Sequence, residues 1–132
     1  MPLTFEGTRA AGATLGSGVI MLFDDQTDLG DILIRIAAFF RDESCGQCVP
    51  CRIGTIRQEE ALHRLVGAHN GGADRELTLI HDLAMVMRDA SICGLGQTAA
   101  SAVQSALQKF PFDSLRSLRA GPSDSPGHGG AH

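Results

Sequence analysis

The sequence contains no tryptophan and no tyrosine, so its only aromatic residues are six phenylalanines. Nor is positive charge in excess: 11 Lys and Arg stand against 15 Asp and Glu, a formal net charge of −4. Both features argue against a nucleic-acid partner, which asks for a basic face and usually for stacking aromatics. Long apolar runs are missing as well. The longest, Val19 to Phe23 and Ile36 to Phe40, fall far short of the ~20 residues that a membrane span needs, so no direct membrane insertion is expected. Met1 to Glu6 carry neither a basic n-region nor an apolar h-region. The expected location is therefore the cytoplasm. What is present is an ordinary globular composition, 43% apolar and 20% charged, in a length that suits one domain. Four cysteines remain to be explained.

The chain divides by composition. Residues 1–26 are rich in Gly and small side chains and end in the run Val19-Ile20-Met21-Leu22-Phe23. That run does not alternate, which reads as one short strand or extended segment buried on both sides. A lone strand has no partner in the remaining sequence, so it is expected to pair with something outside the chain or to pack loosely. Residues 27–112 read as helices. Leu29, Ile32, Leu33, Ile36, Ala37 and Phe40 form one stripe, with Thr27 or Asp28 as the cap and an end near Arg41. A second helix opens at Pro50, whose missing N–H costs nothing in a first turn, and uses Ile53, Ile56, Leu62, Leu65 and Val66 up to Gly67. Asn70-Gly71-Gly72 breaks the chain, and Asp74 then caps a third helix with Leu77, Ile80, Leu83, Ala84 and Met87 inward. The fourth runs from about Thr98 to Phe110, with Ala99, Ala102, Val103, Ala106 and Phe110 on one face, and Pro111 stops it. Residues 113–132 read as a flexible tail. The expected fold is all-α, a small four-helix bundle.

Three of the cysteines lie in Cys45-Gly46-Gln47-Cys48-Val49-Pro50-Cys51, and Cys93 follows 42 positions later. Disulfides would need an oxidising compartment and would close tight, strained loops. A structural zinc site usually takes two separated C-x₂-C pairs rather than three cysteines at equal spacing. Iron–sulfur ligation accounts for the run directly, because a [4Fe–4S] cube offers one iron per thiolate and a two-residue step moves the chain between corners. The helices bring in the fourth ligand. From Cys51 the chain climbs ~25 Å along one helix, turns, and returns along the next, which sets Cys93 beside Cys51. Such a site carries about −2 in its oxidised form, and Cys51 at a helix N-terminus offers N–H groups to that charge. Gly46 and Gly94 are read as positions where backbone approaches sulfur, and Arg52 as a charge able to raise the potential or as a solvated surface residue.

Two stretches carry a family resemblance: Glu43-Ser44-Cys45-Gly46-Gln47-Cys48-Val49-Pro50-Cys51-Arg52-Ile53-Gly54 and Ser91-Ile92-Cys93-Gly94-Leu95-Gly96-Gln97-Thr98-Ala99. Together they resemble the iron–sulfur domain of the flavoprotein subunit of NADH dehydrogenase (respiratory complex I). The Cys-Gly-Leu-Gly string is also similar to the diaphorase subunits of NAD-dependent formate dehydrogenases and hydrogenases. The resemblance spans residues 8 to 112 and implies [4Fe–4S] ligation by Cys45, Cys48, Cys51 and Cys93. It also implies a role as an electron relay beside a flavin- and NADH-binding subunit and other iron–sulfur subunits. FMN and NAD are not expected on this chain, since Gly12-x₃-Gly16-x-Gly18 is neither a dinucleotide fingerprint nor a P-loop. The competing reading is a structural or assembly module, with zinc or a redox-inert cluster at the same cysteines. No complete catalytic site is evident. His63, His69 and His81 lack ligand spacing, His128 and His132 fall in the tail, and Asp24, Asp25, Asp28 and Asp31 read as a solvated cap or a partner-facing patch.

Overall fold

The computed structural model of the protein describes residues 3–14, 16, 20–67 and 72–110. Among these residues there are six helices and no strand: α1 (Phe5–Ala10), α2 (Leu29–Glu43), α3 (Val49–Gly67), α4 (Ala73–Ala90), α5 (Gly94–Thr98) and α6 (Ser101–Lys109). None is long and apolar enough to cross a membrane. The all-α expectation holds, with two short helices added to the four read from the periodicity.

α2 starts where its cap demands. Asp28 accepts a hydrogen bond from the Asp31 N–H at 3.1 Å, and Asp31 in the first turn faces the positive end of the dipole. Asp31 also pairs with Arg35 at 2.8 Å, and Asp24 accepts from the Thr27 hydroxyl at 2.7 Å, so much of the acidic cluster serves the helix entry. Pro50 sits in the first turn of α3 as expected. α4 begins two residues earlier than the Asp74 cap would have it. Gly72 is the N-cap and makes no side-chain bond, which leaves Asp74 inside the first turn.

α3 is the central element, packed against α2 on one side and antiparallel α4 on the other. The large core joins Leu33, Ile34 and Ala37 of α2, Ala61, Leu62, Leu65 and Val66 of α3, Ile80 of α4, and Val103 and Ala106 of α6. A second cluster lies towards the cysteines and is built from small residues, Ala84, Ala99 and Ala100 around the fully buried Met87. Small side chains let the return of α4 come close to the start of α3. At Gly54 a Cβ would lie 2.5 Å from Met87 Cγ, so the glycine is what permits that crossing. Between the two clusters Gln58 is fully buried and donates from Nε2 to the Ala99 carbonyl at 3.2 Å, tying α3 to the segment that follows α5.

Several expectations are corrected. Ile20 to Phe23 form no strand and are exposed, Leu22 by 92%, because the described residues offer no neighbouring ladder to pair with them; Val19 lies outside the described residues. Ile53 and Ile56 face outward, since the buried side of the first half of α3 belongs to Cys51, Gly54, Thr55 and Gln58. The fourth helix is α6, which begins at Ser101 rather than Thr98 and ends at Lys109, with α5 a separate short helix before it and Phe110 exposed beyond it. Asn70, Gly71, His69, Pro111, His128 and His132, and with them the tail, lie outside the described residues.

Candidate metal centre

The loop between α2 and α3 carries Cys45 and Cys48, the first turn of α3 carries Cys51, and the turn between α4 and α5 carries Cys93. All four thiols line one cavity of about 90 Å³, whose remaining walls are Glu43, Ser44, Gln47 and Leu95. The helical hairpin thus closes as the spacing predicts: α3 leads away from the cavity and α4 returns to it. The four thiols are graded in exposure. Cys51 is buried, Cys48 half-buried, and Cys45 and Cys93 exposed at the mouth.

Local bonding fixes this geometry. Gly46 has φ +74°, a left-handed conformation that only glycine adopts freely, and it bends the loop between Cys45 and Cys48. The Cys48 carbonyl accepts the first helical bond of α3, from the Arg52 N–H at 3.1 Å. Thr55 Oγ1 donates to the Cys51 carbonyl at 2.8 Å and stiffens the same turn. Across the cavity, Cys93 is the N-cap of α5, and Gln97 holds the approach to it by donating from Nε2 to the Ser91 carbonyl at 3.1 Å. Gly96 allows the close fit. A Cβ there would fall against Ser91 Oγ, 2.6 Å from Ser91 Cβ and 2.9 Å from Cys51 Cβ. Gly94, read from sequence as the close-approach glycine, has nothing within 4 Å of such a Cβ. The conformational demand at the second string falls on Gly96 instead.

Electrostatics favour thiolate at this place. The Cys48 thiol is held below the ordinary thiol range, chiefly by the Ile92 backbone N–H and next by the Cys51 N–H; partial burial opposes the shift, and the Ser91 hydroxyl adds a smaller contribution. A backbone N–H from the N-terminal turn of α3 therefore reaches Cys48, where the sequence suggests Cys51 as the beneficiary. Cys51 has a different neighbour, the Ser44 hydroxyl, 3.3 Å from its sulfur. Ser91 Oγ is buried and, among the described residues, makes no hydrogen bond of normal geometry, so its small effect on Cys48 is that of a nearby hydroxyl. Sequence reasoning assigns neither serine a role. Their nearness to the cysteines along the chain is the available signal, and which sulfur each serves depends on the fold. Arg52 is exposed, its stem packed 3.7 Å from where a Cβ at Gly46 would be. His63 lies 3.9 Å from Glu59 on the exposed side of α3, and His81 is exposed on α4, so neither joins the thiols.

The donor set is chemically coherent. Four soft sulfur donors converge on one small cavity, backbone N–H groups near one of them favour its thiolate, and a buried hydroxyl stands beside it without an acceptor of its own. Soft thiolates select zinc, copper(I) or iron–sulfur clusters over hard cations. Among the described residues no three of Cys, His, Asp and Glu are drawn together tightly enough to grip a single metal ion. Zinc would take four thiolates on one ion at ~2.3 Å, whereas a cube carries them on separate irons. The residues present fit an iron–sulfur cluster.

The chain has sequence relatives that share one name. The chain is 36% identical over 110 residues to the NADH-quinone oxidoreductase F-subunit of Streptomyces coelicolor, covering 83% of this chain and 24% of the relative. It is 33% identical over 121 residues to the protein of the same name from Mycobacterium bovis, covering 92% of this chain and 27% of the relative. With an NADH-quinone oxidoreductase F-subunit of Rhizobium meliloti the identity is 32% over 108 residues, 82% of this chain and 24% of the relative. The chain thus spans about a quarter of the length of these relatives. Residues 31–116, which contain all four cysteines and every helix from the first turn of α2 to α6, match one family, and the chain belongs to it: the NADH-ubiquinone oxidoreductase-F iron-sulfur binding region.

Proposed function

We propose that the chain is an electron-transfer subunit or domain that binds one [4Fe–4S] cluster through Cys45, Cys48, Cys51 and Cys93. The observation that carries this reading is the convergence of these four thiols, from two loops 42 residues apart, on one cavity in a chain of this family. When bound, such a cluster supplies reversible one-electron transfer between neighbouring centres. The chain's own residues fix its position and surroundings. The thiolates hold the irons, the Ile92 and Cys51 N–H groups lower the energy of charge on Cys48, and Leu95 supplies an apolar wall. The exposed Cys45 and Cys93 mark the edge through which electrons pass.

The relay serves an NAD(H)-linked oxidoreductase. Electrons pass from a flavin on a partner subunit to other iron–sulfur clusters, FMN and NAD belong to that partner, and the complex works in the cytoplasm. The Cys93-Gly94-Leu95-Gly96 string favours a formate dehydrogenase or hydrogenase complex within that class. The exposed Ile20 to Phe23 segment, together with Ile36 and Phe39 of α2, offers an apolar face for the flavin-bearing partner.

The test is anaerobic reconstitution of the full chain with iron and sulfide, followed by metal and sulfide analysis of the parent and of Cys93→Ala. The reading expects about four irons and four sulfides per parent chain, broad absorption near ~400 nm, and loss of that stoichiometry in the variant. Tight retention of one zinc in place of iron, or a cluster indifferent to Cys93, overturns it.

A further inference from the structure

Two serine hydroxyls flank the thiols, and neither gives its hydrogen to any other group. Ser44 Oγ lies 3.3 Å from Cys51 Sγ. The same oxygen accepts the Gly46 N–H at 3.4 Å, which occupies a lone pair and leaves the hydroxyl hydrogen to turn towards sulfur. Ser91 is only 6% exposed, its Oγ has no hydrogen-bond partner, and it stands beside Cys48. Gly96 seals it there: a Cβ on that glycine would fall against both Ser91 Oγ and Cys51 Cβ, so α5 closes directly over the hydroxyl and excludes water. An unpaired buried hydroxyl is destabilising, and native folds leave few of them. The Cys48 sulfur beside it is such an acceptor, and a stronger one when it is an anionic thiolate on iron.

We propose that Ser44 and Ser91 are positioning residues that donate O–H hydrogen bonds to the sulfurs of Cys51 and Cys48 and thereby raise the reduction potential of the centre held by those thiolates. The proposal rests on the iron–sulfur reading above. Reduction brings one electron, supplied by a one-electron reductant, onto a site that is already anionic. Donors aimed at the ligand sulfurs stabilise the more negative state more than the less negative one. Ser91 carries the larger share, because its hydroxyl is shielded from water while Ser44 is half-buried and open to competition.

The experiment is a redox titration of the reconstituted full chain with dithionite, read by electron paramagnetic resonance, for the parent, Ser44→Ala, Ser91→Ala, Ser44→Thr and Ser91→Thr. Thermal unfolding of the iron-free forms is measured alongside. Ser91→Ala is expected to shift the one-electron equilibrium about tenfold towards the oxidised form, a fall of 59 mV. Ser44→Ala shifts it less and in the same direction, and Ser44→Thr restores the parent value. In the iron-free chain Ser91→Ala is neutral or stabilising, because it deletes an unpaired buried group, and a purely structural role predicts the reverse. Unchanged potentials in both alanine variants with full iron content overturn the proposal. If Ser91→Ala loses its iron while Ser91→Thr keeps it, the hydroxyl holds the cluster rather than tuning it, and the Ser91 part fails; the Ser44 pair then decides the remainder. A parent chain that takes up no iron instead refutes the underlying functional reading.

Discussion

Replacing Gly96 by alanine isolates the close fit on which the site depends. The added Cβ would fall against Ser91 Oγ and meet Ser91 Cβ at 2.6 Å and Cys51 Cβ at 2.9 Å, where carbon atoms prefer ~3.5–4.0 Å. A change of Ser91 rotamer would move only the first of these atoms. The two Cβ positions are fixed by backbone, one in the first turn of α3 and the other at the end of α4. Relief therefore requires α5 to shift by about 1 Å, and overpacking of this kind costs ~1–3 kcal/mol. Alanine recovers up to ~1 kcal/mol of helix propensity, which leaves a net loss of up to ~2 kcal/mol when that recovery is complete. For a domain of this size each kcal/mol lowers Tm by roughly 4–8 °C. The assay is far-ultraviolet circular dichroism of the full iron-loaded chain through its thermal transition, with iron counted before heating. Gly94→Ala is the control, since its Cβ meets nothing within 4 Å. It is expected to melt at or slightly above the parent. The reasoning fails if Gly96→Ala melts with the parent and retains the same iron, or if the two alanine variants behave alike.

Three further outcomes follow from the packing and the electrostatics. Gly46→Ala forces a φ of +74° onto a residue with a Cβ, at a cost of ~1–2 kcal/mol; denaturant unfolding should show that loss together with weaker iron retention. Leu65→Ala empties a fully buried position in the large core, far from the thiols, and should cost ~2–5 kcal/mol in the same assay while leaving the spectrum of the loaded centre unchanged. The third concerns pH in the iron-free chain. The folded Cys48 thiol titrates below its unfolded value, so its contribution to stability is present above the unfolded value and is lost as pH falls through the folded one. Iodoacetamide labelling followed by peptide mapping should accordingly show the thiolate-limited onset at Cys48 at lower pH in the folded chain than in urea; coincident profiles would contradict the assignment.

The helices are legible in the sequence where apolar side chains mark the buried face. α2, the second half of α3, and α4 follow from Leu33, Leu62, Leu65, Ile80, Ala84 and Met87, all of them buried at helical spacing. The first half of α3 misleads for a physical reason. Near the thiols the buried face consists of Gly54, Thr55 and Gln58, because close helix approach and hydrogen bonding replace oil there. A count of apolar residues then selects Ile53 and Ile56, which are exposed. α5 is missed in the sequence because it is only five residues long and Leu95 is its one apolar side chain, so no periodicity marks it. α1 is hidden in a Gly- and Ala-rich stretch, where its signal is Thr4 capping the Gly7 N–H at 3.0 Å. The candidate site itself is legible to the extent that spacing and helix length are local quantities. The role of Gly96 and the hydroxyls of Ser44 and Ser91 is not, because each depends on which atoms the hairpin brings against it.

The central claim is that four cysteines from the two ends of a helical hairpin hold one redox-active cluster. The most direct measurement is an electron paramagnetic resonance titration of the anaerobically reconstituted full chain, with electrons, iron and sulfide counted on the same sample. The account predicts about four irons and four sulfides per chain, silence when oxidised, and one spin per chain after uptake of one electron. A chain that holds zinc, or holds iron and sulfide but accepts no electron from dithionite, would contradict it.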